Sequence, residues 1–160
     1  MNVFYLDASA LIKYYTPEPG SDLVKMLLDS AARYRVSAAI WTFTEAAAAL
    51  NRKKNAASIP EHEFPSIIQE LAADFDTFHL QKANTEDARQ SVALIFAHNL
   101  NATDALHLYL ALELHKLLTL ADAQVVLVTA DARLVRAAQA EGLAALNPET
   151  ATPTDLQALL

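Results

Sequence analysis

Apolar and polar positions along this chain switch repeatedly between two periods. Val3, Phe4, Tyr5 and Leu6 form an unbroken apolar run rich in β-formers, which predicts a buried strand over residues 3–6. At Asp7 the pattern changes: Ala8, Leu11, Ile12 and Tyr15 recur at helical spacing and predict a helix to about residue 15. Thr16-Pro17-Glu18-Pro19-Gly20 reads as a turn, and Ser21 or Asp22 as the cap of a helix carrying Leu23, Met26 and Leu27. A second strand is expected over residues 36–40. The helix that Thr42 opens runs through Ala46 to Leu50 and ends in Arg52-Lys53-Lys54.

Ser58-Ile59-Pro60-Glu61 has capping-box spacing and predicts a helix from there to about residue 74. A weak strand follows over residues 77–81. The helix over residues 84–99 is expected to bury Ala88, Val92, Ile95 and Phe96, and a long apolar helix to span residues 103–118. The clearest strand is residues 124–129, whose lack of alternation predicts burial on both faces. A helix over residues 131–141 stops at Gly142, residues 143–146 form a last short strand, and the tail from Thr154 is helical. Strands alternating with helices imply an α/β fold: a mostly parallel central sheet with helices on both faces. No repeat, linker or composition shift divides the 160 residues, so one domain over residues 1–160 is expected.

The strand-to-helix switches carry acids. Asp7 follows the first strand, Glu45 the second and Asp131 the strand of residues 124–129, while Asp104 opens the long apolar helix. Right-handed crossovers put every such turn on one edge of a parallel sheet, so Asp7, Glu45 and Asp131 converge if the first strand is central. Two readings of this pattern stand. Asp7 and Asp131 are ordinary helix caps, Thr42-x-x-Glu45 is a capping box, and Thr103 is a cap beside Asp104. Alternatively, four carboxylates that would repel one another are held together by Mg²⁺ or Mn²⁺, hard cations that take oxygen ligands.

Composition narrows the chemistry. Cysteine is absent, which removes disulfides, thiolate nucleophiles and cysteine-ligated metals. Glycine occurs only as Gly20 and Gly142, so phosphate-binding loops, dinucleotide turns and serine nucleophile elbows have no residues to build them. Net charge is −7, against a generic nucleic-acid binder, so any such contact needs a local basic patch. Arg52, Lys53 and Lys13 are the candidates for it; the alternative for the first two is a basic last turn complementing the helix dipole. No membrane span is expected, because Glu113, Lys116 and Asp122 interrupt the longest apolar stretches. Residues 1–6 lack a basic segment ahead of the apolar ones, so no signal peptide is expected. His107 lies one turn after Asp104 inside an apolar helix, and is read as a core histidine in preference to a ligand or general base.

Residues 5–13 (Tyr-Leu-Asp-Ala-Ser-Ala-Leu-Ile-Lys) followed by Glu18-Pro19-Gly20-Ser21 resemble the opening of PIN-domain ribonucleases of the VapC toxin type. Thr44-Glu45, Thr103-Asp104-Ala105-Leu106-His107-Leu108, the stretch from Val128 to Leu134, and Ala140-Glu141-Gly142-Leu143 before Asn147-Pro148 fit the same pattern in order. The resemblance implies a three-layer α/β/α sandwich and Mg²⁺- or Mn²⁺-dependent endoribonuclease activity, as the cytoplasmic toxin of a toxin–antitoxin pair. It further implies a small antitoxin partner and a homodimer. Asp7, Glu45, Asp104 and Asp131 match the family's acidic site, with Asp7 and Asp104 as the nearest metal ligands. Thr129 matches a hydroxyl able to hold a metal-bound water, and Ser9 the small hydroxyl position after the first acid. Asn101 and Tyr109 depart from the pattern, standing where relatives commonly carry Arg and Ala. Two other readings remain at this point: the same nuclease chemistry in RNA processing or on structured DNA without an antitoxin, and a PIN-like domain that binds RNA or protein without cleaving.

Overall fold

Five parallel strands form the centre in the order β3-β2-β1-β4-β5: β1 (Asn2–Leu6), β2 (Val36–Ala39), β3 (His79–Gln81), β4 (Gln124–Val128) and β5 (Ala144–Leu146). The computed structural model describes residues 1–160, with the side chain of residue 31 left aside. The sheet is entirely parallel, and β1 lies at its centre between β2 and β4. Alternation along β1 splits the core into two layers. Phe4 and Leu6 face α1 (Ala8–Tyr15), α2 (Ser21–Leu28), α3 (Thr42–Asn55) and α4 (Phe64–Phe75). Tyr5 faces the other way, into the layer of α5 (Thr85–His98), α6 (Ala102–Thr119) and α7 (Ala132–Ala140). A short helix, α8 (Pro153–Gln157), closes the first layer with the fully buried Leu156.

The chain winds outward from β1 to β2 and β3, then returns to the other side of β1 for β4. That reversal leaves a crevice at the carboxyl ends of β1 and β4, where open α/β sheets bind ligands. It is into this crevice that the acids are delivered.

Several local boundaries differ from expectation. Ser58-x-x-Glu61 caps nothing; Ile59 is buried in the core, and α4 starts at Phe64 with Pro65 in its first turn, where a missing N–H costs least. Gly20, not Ser21 or Asp22, caps α2; Ser21 Oγ instead accepts from Glu18 N and donates to Thr16 O. On α5 the buried residues are Ser91 and Leu94, while Phe96 is 82% exposed, because α5 lies on α6 and not on the sheet. Asp74 is buried, bonded by Tyr15 Oη at 2.9 Å and by Arg33.

Candidate active site

Asp7 ends β1 and caps α1, accepting from Ala10 N at 3.0 Å through Oδ1. Two hydroxyls fix the rest of this buried carboxylate. Ser9 Oγ lies 2.8 and 3.0 Å from its two oxygens, and Thr129 Oγ1 donates to Oδ2 at 2.7 Å. The hydroxyls are themselves held by the segment after β4: Ala130 N donates to Ser9 Oγ and Asp131 N to Thr129 Oγ1. Burial raises the Asp7 pKa, against the lowering effect of His107, Thr129, Ser9 and the Ala10 amide.

Asp104 stands in the first turn of α6. The cap is Asn101, not Thr103: Asn101 Oδ1 accepts from Asp104 N at 2.8 Å, and its amide donates to Asp104 Oδ2 at 2.7 Å. The residue standing where relatives carry Arg thus orients one of the acids. Partial burial, then the charges of Asp131 and Asp7, push Asp104 up to about 6; His107 opposes this, and Glu45 adds to it.

Glu45 lies in the first turn of α3, whose cap position is Trp41 without a side-chain bond. The Thr42–Glu45 capping box does not form, and the buried Thr42 hydroxyl has no partner among the described residues. Glu45 is held by His107: Nε2 lies 2.9 Å from Oε2. The same Nε2 lies 3.1 Å from Trp41 Nε1, and His107 Nδ1 is 3.2 Å from Tyr5 Oη. Nε2 has one position to offer, so it either accepts from Trp41 or donates to Glu45. His107 is therefore buried, as read from its helix, and also part of the site. The signal for this was its place one turn after Asp104, on the same helix face.

Asp7, Ser9, Glu45, Asp104 and His107 line one cavity of about 480 Å³, with Arg52 also on its lining. Asp131 is set apart: it caps α7 through Oδ1, bonded by Arg133 N and Leu134 N, and reaches Asp104 through charge. Among the described residues no three acids stand ready-arranged around one metal position. The donors that meet at the cavity are nonetheless carboxylate oxygens, the type Mg²⁺ and Mn²⁺ take, and a cation there would relieve the repulsion felt by Asp104.

Of the candidate basic residues, only Arg52 reaches the cavity. Lys13 is buried and paired with Glu149 at 2.7 Å and Glu18 at 3.3 Å; Lys53 pairs with Glu18 at 2.6 Å. These lysines tie the turn of residues 16–20 to α3 and to the segment after β5.

Residues 4–140 match the PIN domain family. The chain belongs to that family. Among solved structures, PAE2754 from Pyrobaculum aerophilum aligns at 18% identity and a TM-score of 0.62, covering 84% of both chains. FitAcB from Neisseria gonorrhoeae aligns at 17% and 0.63, over 93% of this PIN domain and 100% of that chain. A toxin–antitoxin complex from Klebsiella pneumoniae aligns at 19% and 0.59, over 90% and 96%. At these identities the structural matches establish shared fold. No match was found among curated proteins.

Proposed function

We propose that this PIN domain is a Mg²⁺- or Mn²⁺-dependent endoribonuclease and the toxin of a cytoplasmic toxin–antitoxin pair. One observation carries the reading: Asp7, Glu45 and Asp104 share a single cavity at the sheet's carboxyl edge, with Asp104 pushed up to about 6 by burial and neighbouring acids. Mutually destabilised carboxylates at a functional edge are what a divalent cation resolves. Asp7 and Asp104 would hold the cation, with Glu45 and Asp131 as further ligands, direct or through water. The chemistry such a cation supplies when bound is an acidified water and charge neutralisation at a phosphate. Ser9 and Thr129 orient Asp7, His107 holds Glu45, and Arg52, on the cavity's lining, would meet the RNA backbone.

The fold likeness to a toxin–antitoxin complex from Klebsiella pneumoniae supports an antitoxin partner. Homodimerisation is part of the same reading, supported by the exposed Val92 and Phe96 four residues apart on α5. No helix is long and apolar enough to cross a membrane. The test is cleavage of single-stranded RNA with Mg²⁺ or Mn²⁺ by wild type and Asp7→Asn. Metal-dependent cutting lost in the variant is expected; equal, metal-independent cutting by both would overturn the mechanism. Growth arrest on expression, rescued by an adjacent small gene, tests the toxin assignment.

A further inference from the structure

The acid cavity has a neighbour. A second, more open hollow of about 390 Å³ is lined by Trp41, Glu45, Ala102, Thr103 and Leu106, so Glu45 belongs to both. Apart from Glu45 and Thr103, its lining is apolar. Trp41 is the chain's only tryptophan and is half-buried. On one side its indole packs against the His107 ring, with centroids 5.3 Å apart and Nε1 3.1 Å from the Nε2 that also faces Glu45. A ring so anchored gives up little conformational freedom when something flat lies on it.

Position along α3 says what that would be. Trp41 precedes the helix, Glu45 lies one turn in, and Arg52 lies near its end, so the backbone positions of Trp41 and Arg52 are about 16 Å apart along the helix axis, with Glu45 between them. Along α3 a cation for phosphate thus stands on one side of Glu45 and a single aromatic shelf on the other. That is the division of labour in single-strand recognition, where charge tracks the backbone and aromatic faces stack bases. The hollow offers one aromatic ring and shares Glu45 with the acid cavity, which favours a lone base over the apolar face of a protein helix.

We propose that Trp41, backed by His107 and flanked by Leu106, stacks the nucleobase next to the scissile phosphate. The inference rests on the ribonuclease reading and deepens it, assigning a base subsite on one side of the cut.

The test uses a short single-stranded RNA that the wild type cuts, and copies carrying one abasic nucleotide at each position within two of the cut. With turnover removed by Asp7→Asn, binding of the intact RNA is expected to quench the fluorescence of Trp41. Trp41→Leu in that background should weaken binding at least about fivefold, the lower end for base–aromatic stacking, while Trp41→Phe retains most affinity. One abasic position should weaken Trp41-containing protein and leave the Trp41→Leu variant indifferent. In active protein, Trp41→Leu should raise KM more than it lowers kcat.

Unchanged affinity in Trp41→Leu and no quenching, with Asp7-dependent cleavage intact, overturns the subsite and leaves the nuclease reading standing. Equal loss in Trp41→Phe and Trp41→Leu, on intact and abasic RNA alike, overturns it in favour of a role through His107. Quenching by the antitoxin protein but not by RNA overturns it in favour of a protein-docking shelf. Absence of both cleavage and RNA binding in wild type overturns both readings.

Discussion

Thr129 donates its hydroxyl to Asp7 Oδ2 at 2.7 Å, joining residues 122 positions apart in the chain. Thr129 Oγ1 in turn accepts from Asp131 N at 3.1 Å, so one buried side chain connects the ends of β1 and β4 across the crevice. Thr129→Val keeps the shape and removes both bonds. The expected cost is about 1–3 kcal/mol in urea unfolding, because a buried acceptor and an amide lose their partner. Losing one of the bonds that lower the Asp7 pKa should also weaken Mn²⁺ binding in calorimetry, whereas Thr129→Ser should stay near wild type. Wild-type stability and Mn²⁺ affinity in Thr129→Val would show that the link has no energetic weight.

The acids should make the metal-free protein prefer mild acid. Asp104 is raised from 3.8 to about 6, so its contribution to stability is fully present below about pH 4 and is lost as pH rises through about 6. From this group alone, Tm should be higher near pH 5 than near pH 7.5. Asp104→Asn should flatten that difference and stabilise the metal-free protein near pH 7.5. Mn²⁺ should raise Tm near pH 7.5 and lose this effect near pH 5, where protons compete for the carboxylates. A Tm that rises steadily between the two pH values, unaltered in Asp104→Asn, would contradict the assignment.

Two basic side chains should separate stability from RNA contact. Lys13→Met removes a buried ammonium paired with Glu18 and the exposed Glu149 and is expected to cost about 2–4 kcal/mol, below the full cost of breaking a wholly buried pair, since two carboxylates lose their cation. Its effect on RNA affinity, measured where the variant is folded, should be small. Arg52→Ala should leave stability within about 0.5 kcal/mol, as expected of an exposed residue. It should also reduce RNA affinity and the slope of its salt dependence by about 1. Reversed outcomes would return Lys13 to the binding surface.

The two glycines differ in the same way. Gly20 has φ +87°, and a Cβ there would lie 2.6 Å from the carbonyl oxygen of Pro148, a backbone atom that cannot step aside. Gly142 has φ +79° with open space around it. Gly142→Ala should therefore cost about 1–2 kcal/mol, the left-handed strain alone. Gly20→Ala should cost clearly more, because the 16–20 turn must move away from the segment after β5. Equal midpoints in urea for the two variants would argue against the close approach.

The local patterns in the sequence were enough to determine the alternation of strands and helices and the placement of Asp7, Glu45, Asp104 and Asp131 at helix starts, whereas the central position of β1, a condition for their convergence, came from the strand order of the fold. The former follow from hydrophobic period and from crossover handedness, both of which act over short stretches. Burial on α5 was not legible, since the apolar stripe through Val92 and Phe96 could not show that α6 lies between this helix and the sheet. The lysines read as a basic patch are taken up by Glu18 and Glu149, partners that only the fold brings near. His107 could be read as buried, but its bond to Glu45 spans 62 positions, and no local pattern encodes a partner at that distance. Nor could the sequence distinguish caps from an acid site. Asp131 caps its helix, Asp7 caps a helix and also lines the acid cavity, and Asp104 is oriented by a cap that is not itself acidic. Which carboxylates share a cavity depends on the mutual placement of β1, α3 and α6, and tertiary packing alone decided that.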